Sequence, residues 1–192
     1  MKVKVPIFAL LVTVAAANPA SGAPLDVPAA AAKCQACHNS GNAAMPRLEG
    51  QPAPYLATRI RSFADLTRQS PHAYFMFDVN ASLSDTTLVA LAKYLAAQPT
   101  VESAGGGALA EEGERLYRSG NGAGISGCQA CHGARGEGAG EVPRLAGQRA
   151  AYLREQLEDF SMITRVHDTM NPHARNMTED QINALVAFLS RD

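Results

Sequence analysis

The pentapeptide Cys34-Gln35-Ala36-Cys37-His38 recurs letter for letter 94 residues later as Cys128-Gln129-Ala130-Cys131-His132. A Cys-x-x-Cys-His unit places two thiols and an imidazole within a single helical turn. That is the spacing at which two cysteines add across the vinyl groups of a haem while the adjacent histidine binds its iron. The two motifs use all four cysteines of the chain, so no thiol remains for a structural disulfide. A structural zinc site would gather four ligands, usually from two such knuckles in one small fold; here the knuckles lie far apart and each carries its own histidine. A thioredoxin-like pair would follow a strand in a βαβ unit, and neither motif has that setting. The chain is therefore expected to carry two covalent haem c groups. Cys34 and Cys37 anchor one, Cys128 and Cys131 the other, with His38 and His132 as axial ligands of the irons.

The repeat reaches well beyond the pentapeptide. Met45-Pro46-Arg47-Leu48-Glu49-Gly50-Gln51 answers Val142-Pro143-Arg144-Leu145-Ala146-Gly147-Gln148 at an offset of 97, the three extra residues falling in the glycine-rich loop 133–141. A helix follows in each half: Leu56, Ile60 and Phe63 match Leu153, Leu157 and Phe160, apolar at i, i+4 and i+7 on one face. Tyr55 matches Tyr152. At the closing helices the offset returns to 94, with Ser84 before Leu88, Leu91, Tyr94 and Leu95, and Thr178 before Ile182, Leu185, Phe188 and Leu189. Thr178-Glu179-Asp180-Gln181 reads as a capping box. Pro99 and Gly105-Gly106-Gly107 mark a linker, and a helix is expected over 111–120. Every recognisable element is helical. The expectation is an all-α chain of two tandem domains, residues 24–98 and 111–192, joined by a Gly/Pro-containing linker over 99–110.

A haem iron held by one protein ligand is open to small molecules; a second ligand closes it and favours electron transfer. Methionine is a soft, neutral ligand that raises the potential. Met76 lies 38 residues after His38, and Met170 lies 38 residues after His132; each precedes the Ser or Thr that starts the closing helix by eight residues. Met76 and Met170 are thus the expected second axial ligands. Met45, Met162 and Met177 have no methionine counterpart and read as packing residues. His72, His167 and His173 also lack counterparts and read as solvent-facing. A ligating histidine usually donates its other ring nitrogen to a carbonyl, and the carbonyls of Pro46 and Pro143 are the candidate acceptors. Arg47, Arg144, Tyr55 and Tyr152 are candidates to bond the haem propionates.

Lys2 and Lys4 precede an apolar run over residues 5–17 and a stretch of small residues, the pattern of an export signal over residues 1–23. The run is shorter than the ~20 residues of a spanning helix, so no transmembrane segment is expected after signal removal, and the expected location is the periplasm. The formal charge is −1, without the basic stripe that nucleic-acid binding requires.

Taken together, the paired Cys-x-x-Cys-His motifs, the Pro-Arg-Leu-x-Gly-Gln loops, the tyrosine-led helices at Tyr55 and Tyr152, and the pre-helix methionines Met76 and Met170 resemble the two-haem cytochrome c4 family. The resemblance covers nearly all of the chain after the signal. It implies two class I cytochrome c domains about a pseudo-twofold axis, His/Met ligation, and electron delivery to a membrane-bound terminal oxidase. The first domain departs from the family: it opens with Val27-Pro28 and an alanine run where the second has Gly113-Glu114-Arg115-Leu116-Tyr117, and its post-haem loop is short. These changes imply a more exposed first haem, with Phe75 and Phe77 covering its methionine side.

The expected function is soluble electron transfer between redox protein partners rather than catalysis. Two alternatives stay open: a haem subunit of a larger dehydrogenase complex, and a small di-haem oxidoreductase with one open iron.

Overall fold

The computed structural model describes residues 25–64 and 71–191; the expected signal over residues 1–23 lies outside them. Asp26 caps the first helix, α1 (Val27–His38), by accepting the Ala29 N–H at 3.0 Å. Pro28 sits in its first turn, where a missing N–H is no loss. The first half continues with α2 (Ala53–Arg61), a 3₁₀ turn (Pro71–Tyr74), α3 (Phe75–Ala81) and α4 (Asp85–Ala96). The second half holds α5 (Gly107–Ser119), α6 (Gln129–His132), α7 (Ala150–Met162), α8 (Met170–Arg175) and α9 (Glu179–Leu189). Among the described residues there is no sheet, only two isolated bridges, at Ala139/Val142 and Gln148/Ser190. None of the described helices is long and apolar enough to cross a membrane.

The expected caps hold. Ser84 accepts the Thr87 N–H at 3.2 Å, and Thr178 and Gln181 complete a reciprocal capping box. One expected boundary shifts: α5 begins at Gly107 rather than 111. Ala108, Leu109 and Ala110 are strong helix formers, and Ala110 is buried, so packing extends the helix backward.

The halves have the same plan with different entrances. In the second, α5 lies across α9 and ends at Gly120; a loop then leads to the Cys-x-x-Cys-His turn at α6. In the first, α1 packs on α4 and runs unbroken through Cys34 and Cys37 to His38. The α5–α9 crossing is close because residue 113 is glycine: a Cβ there would lie 2.0 Å from the Ala184 carbonyl oxygen. Tyr117 then stacks obliquely on Phe188, ring centres 5.5 Å apart, and its hydroxyl donates to the Gly133 carbonyl. The first half has Ala31, fully buried, at its own crossing. Small residues let the helices approach in both halves; the first packs Tyr94 of α4 there, and only the second adds an aromatic from its opening helix, Tyr117.

Gly113→Ala is expected to force α5 and α9 apart and destabilise the protein by about 1–3 kcal/mol, despite alanine's better helix propensity. Gly106→Ala, at an extended position with nothing near its Cβ, should stay within about 0.5 kcal/mol. Thermal denaturation of the two variants checks the pair.

Candidate haem sites

Both motif histidines are buried, and each ring is held the same way. His38 Nδ1 lies 2.8 Å from the Pro46 carbonyl oxygen and His132 Nδ1 lies 3.0 Å from that of Pro143. With Nδ1 donating to a carbonyl, Nε2 carries the lone pair and is the nitrogen presented to a metal. Burial, as the largest effect, pushes both imidazoles below their ordinary pKa and keeps them neutral, the form a metal binds. Burial pushes the Cys34 and Cys128 thiols up, opposite to the lowered pKa of a redox or metal-binding thiolate. No two of the cysteines are joined, and among the described residues no three His, Cys, Asp or Glu side chains converge on a metal-sized site. The buried, neutral histidines beside the free thiols fit thioether attachment.

Met76 sits in the first turn of α3 and Met170 opens α8, both half-buried. In each half the helix with the histidine and the helix with the methionine stay apart: no Cα of α1 comes within 8 Å of α3, and none of α6 within 8 Å of α8. Phe77 packs on Phe63 and Tyr74, but Phe75 is 72% exposed.

The seven-residue loops do more than hold the histidines. Gln51 bonds the backbone of Arg144, its amide donating to the carbonyl at 2.8 Å and its oxygen accepting the N–H at 3.0 Å. Gln148 does the same to Arg47, at 3.0 and 2.8 Å. Each glutamine amide thus acts as one rung of a ladder, and the two halves clasp each other reciprocally. Gly50 and Gly147 adopt left-handed backbone, and the linker passes against both: a Cβ would lie 2.0 Å from Thr100 Cγ2 and 1.9 Å from the Val101 carbonyl oxygen. Ser103 and Ala104 continue along α9 by donating to the Leu189 and Ser190 carbonyls. The sequence shows these glutamines and glycines as a repeat; that they meet across the halves is visible only in the fold.

The candidate propionate contacts have other neighbours too. Arg47 donates to the Arg191 carbonyl at 2.8 Å, and Arg144 to the Val101 carbonyl and the Glu102 carboxylate. The Tyr55 and Tyr152 phenols, one from each half, face Arg165, which Tyr55 hydrogen-bonds. Arg165 is buried beneath them, its guanidinium 4.4 Å from the Phe160 ring centre and donating to Gln156 at 2.6 Å. The Nε atoms of Arg47 and Arg165 are buried without a hydrogen-bond partner. The interdomain Arg149 escapes sequence reasoning because Pro52 stands at its matched position, whereas Arg165 has a sequence counterpart in Arg68 at the 97 offset, a signal that could have found it.

Of the unmatched histidines, only His72 is exposed, paired with Glu155 of α7 at 3.0 Å. His167 and His173 are half-buried rather than solvent-facing. The His167 ring stands edge-on to Phe160 with Nδ1 turned to the N–H groups of Thr169 and Met170, so packing of the α7–α8 loop claims it.

Gln148→Leu would strand the Arg47 N–H and C=O inside the seam. It is expected to cost about 1–3 kcal/mol and to let the two halves unfold at separate midpoints, where the unsubstituted protein should show one, read by guanidinium denaturation followed at each haem.

Residues 110–191 match the cytochrome c family model. The chain is 35% identical to a cytochrome c-552 of Acidithiobacillus ferridurans over 96% of this chain and 85% of that one. It is 37% identical to a thiosulfate dehydrogenase electron acceptor of Thiomonas intermedia over 91% and 84%. The solved cytochrome c4 of Acidithiobacillus ferrooxidans superposes with a TM-score of 0.77 at 35% identity, covering 83% of this chain and 98% of that one. Doubled haem motifs, mirrored loops and this likeness along nearly the whole chain lead to one assignment: the chain belongs to the cytochrome c4 family, electron-transfer proteins that carry two covalent haem c groups.

Proposed function

We propose that the protein is a periplasmic electron shuttle with both irons closed by His/Met ligation: His38 and Met76 in the first half, His132 and Met170 in the second. Cys34, Cys37, Cys128 and Cys131 form the thioethers. One observation carries the reading. Each motif histidine is buried with Nδ1 on a proline carbonyl, which leaves Nε2 for iron, and a methionine follows each at the same 38-residue interval. The haems supply one-electron Fe(III)/Fe(II) chemistry. The chain's own residues would set its conditions: the prolines fix imidazole orientation and basicity, and the Met76 and Met170 sulfurs as axial ligands would favour ferrous iron. The buried Nε atoms of Arg47 and Arg165 are suited to anionic propionates, with Tyr55, Tyr152 and Arg144 beside them, since a buried guanidinium is costly until it meets an anion.

The proposed acceptor is a membrane-bound terminal oxidase. A second reading has a specific support: two relatives are named thiosulfate dehydrogenase electron acceptors, so the donor side would be a dehydrogenase, with the protein its free or bound partner. Mixing the oxidised protein with a thiosulfate dehydrogenase and thiosulfate tests this donor: rapid reduction of both haems supports it, and none removes it.

Met76→Ala and Met170→Ala should each keep two covalent haems and open one iron to carbon monoxide, while the unsubstituted ferrous protein binds almost none. Carbon monoxide binding by the unsubstituted protein at one haem would instead favour the oxidoreductase with an open iron. If neither variant gains it, the methionine assignment is wrong.

A further inference from the structure

The stretch between motif histidine and proline is three residues shorter in the first half, 39–45 against 133–142. In the second half the longer loop looks after its own histidine: Gly138, in left-handed backbone, donates its N–H to the His132 carbonyl at 2.8 Å. The first half has no residue to do this. Its place is taken from the other domain. Arg149, 8% exposed, donates Nη2 to the His38 carbonyl at 2.8 Å, and Nη1 to the Met45 carbonyl at 3.1 Å and the Asn42 carbonyl. Its own position is held by the Gln148 side chain, which accepts the Arg149 N–H at 2.9 Å. The exchange cannot be reciprocal, because the residue matched to Arg149 at the 97 offset is Pro52.

We propose that Arg149 completes the first haem site in trans and that its positive charge raises the reduction potential of the first haem, leaving the second untouched. The inference rests on the two-haem reading above. Reduction adds one electron to the iron and moves no proton on Arg149, so a fixed cation on the ligand's own carbonyl favours the ferrous state. The first site also holds a carboxylate that the second lacks: Glu49, matched by Ala146, accepts from Gln35 and Asn39. The Arg149 cation, bonded to the carbonyl of His38, offsets it. Arg149 is a positioning residue: it acts through the His38 loop rather than on the iron.

The test is a potentiometric titration of the holoprotein and of Arg149→Lys, Arg149→Gln and Arg149→Met, with haem methyl resonances assigned to each half. The Met–Fe(III) charge-transfer band of each sample checks that axial ligation is intact; its absence from the unsubstituted protein would instead strike at the ligation reading. Both neutral variants should lower the first haem's reduction equilibrium about tenfold, which is about 59 mV for one electron. The second haem should stay within about twofold. Lysine keeps the charge without the three-carbonyl fork and should recover most of the shift. Arg149→Met keeps the aliphatic stem and carries the test if Arg149→Gln loses its haems. Equal shifts at both haems, no shift at the first, or lysine behaving as glutamine would each overturn the proposal.

Discussion

A ring nitrogen of each motif histidine bonded to a proline carbonyl is the contact on which the rest of this molecule depends. It fixes the plane of each imidazole and leaves Nε2 as the nitrogen available to a metal, with no charged partner. The same short loop then does the next task. The residue after the proline is clasped through its backbone by the other half's glutamine, and three residues on from that arginine a glycine lets the linker pass. Haem geometry and domain pairing are therefore carried by one segment, seven residues long, used twice. A shift in one half's loop has no slack in which to disappear: moving Arg47 moves Gln148, and Gln148 begins the segment leading into α7.

The pairing is reciprocal at the glutamines and one-sided elsewhere. The second half is the more self-sufficient, with a tyrosine-supported α5–α9 crossing, a full capping box and a loop that satisfies its own histidine carbonyl. The first half enters its haem motif directly from α1, packs alanines where the second has larger groups, and takes Arg149 from its partner. Two haem sites of common origin thus acquire different electrostatics without a change in their axial residues.

Much of this was legible in the sequence because it is periodic or local. The apolar stripes of α2, α4, α7 and α9 follow the 3.6-residue helical period, and Ser84 and Thr178 cap within three residues of themselves. The proline carbonyls were within reach because the motif-to-proline spacing is short. What stayed hidden was bonding between side chains and a distant backbone. Gln51 and Gln148 meet partners 93 and 101 residues away, and Arg149 meets His38 across 111; no window on the chain contains both ends. His167 misled for a related reason: whether a loop histidine is half-buried is set by which way the loop turns it, and the segment between α7 and α8 carries too little pattern to say.

The central claim is that both irons are closed by histidine and methionine. An optical redox titration of the purified holoprotein, with the Met–Fe(III) charge-transfer band quantified per haem, tests it most directly. The account predicts two equivalents of that band, both lost on reduction. One equivalent or none would mean a different ligand or an open iron, and would contradict it.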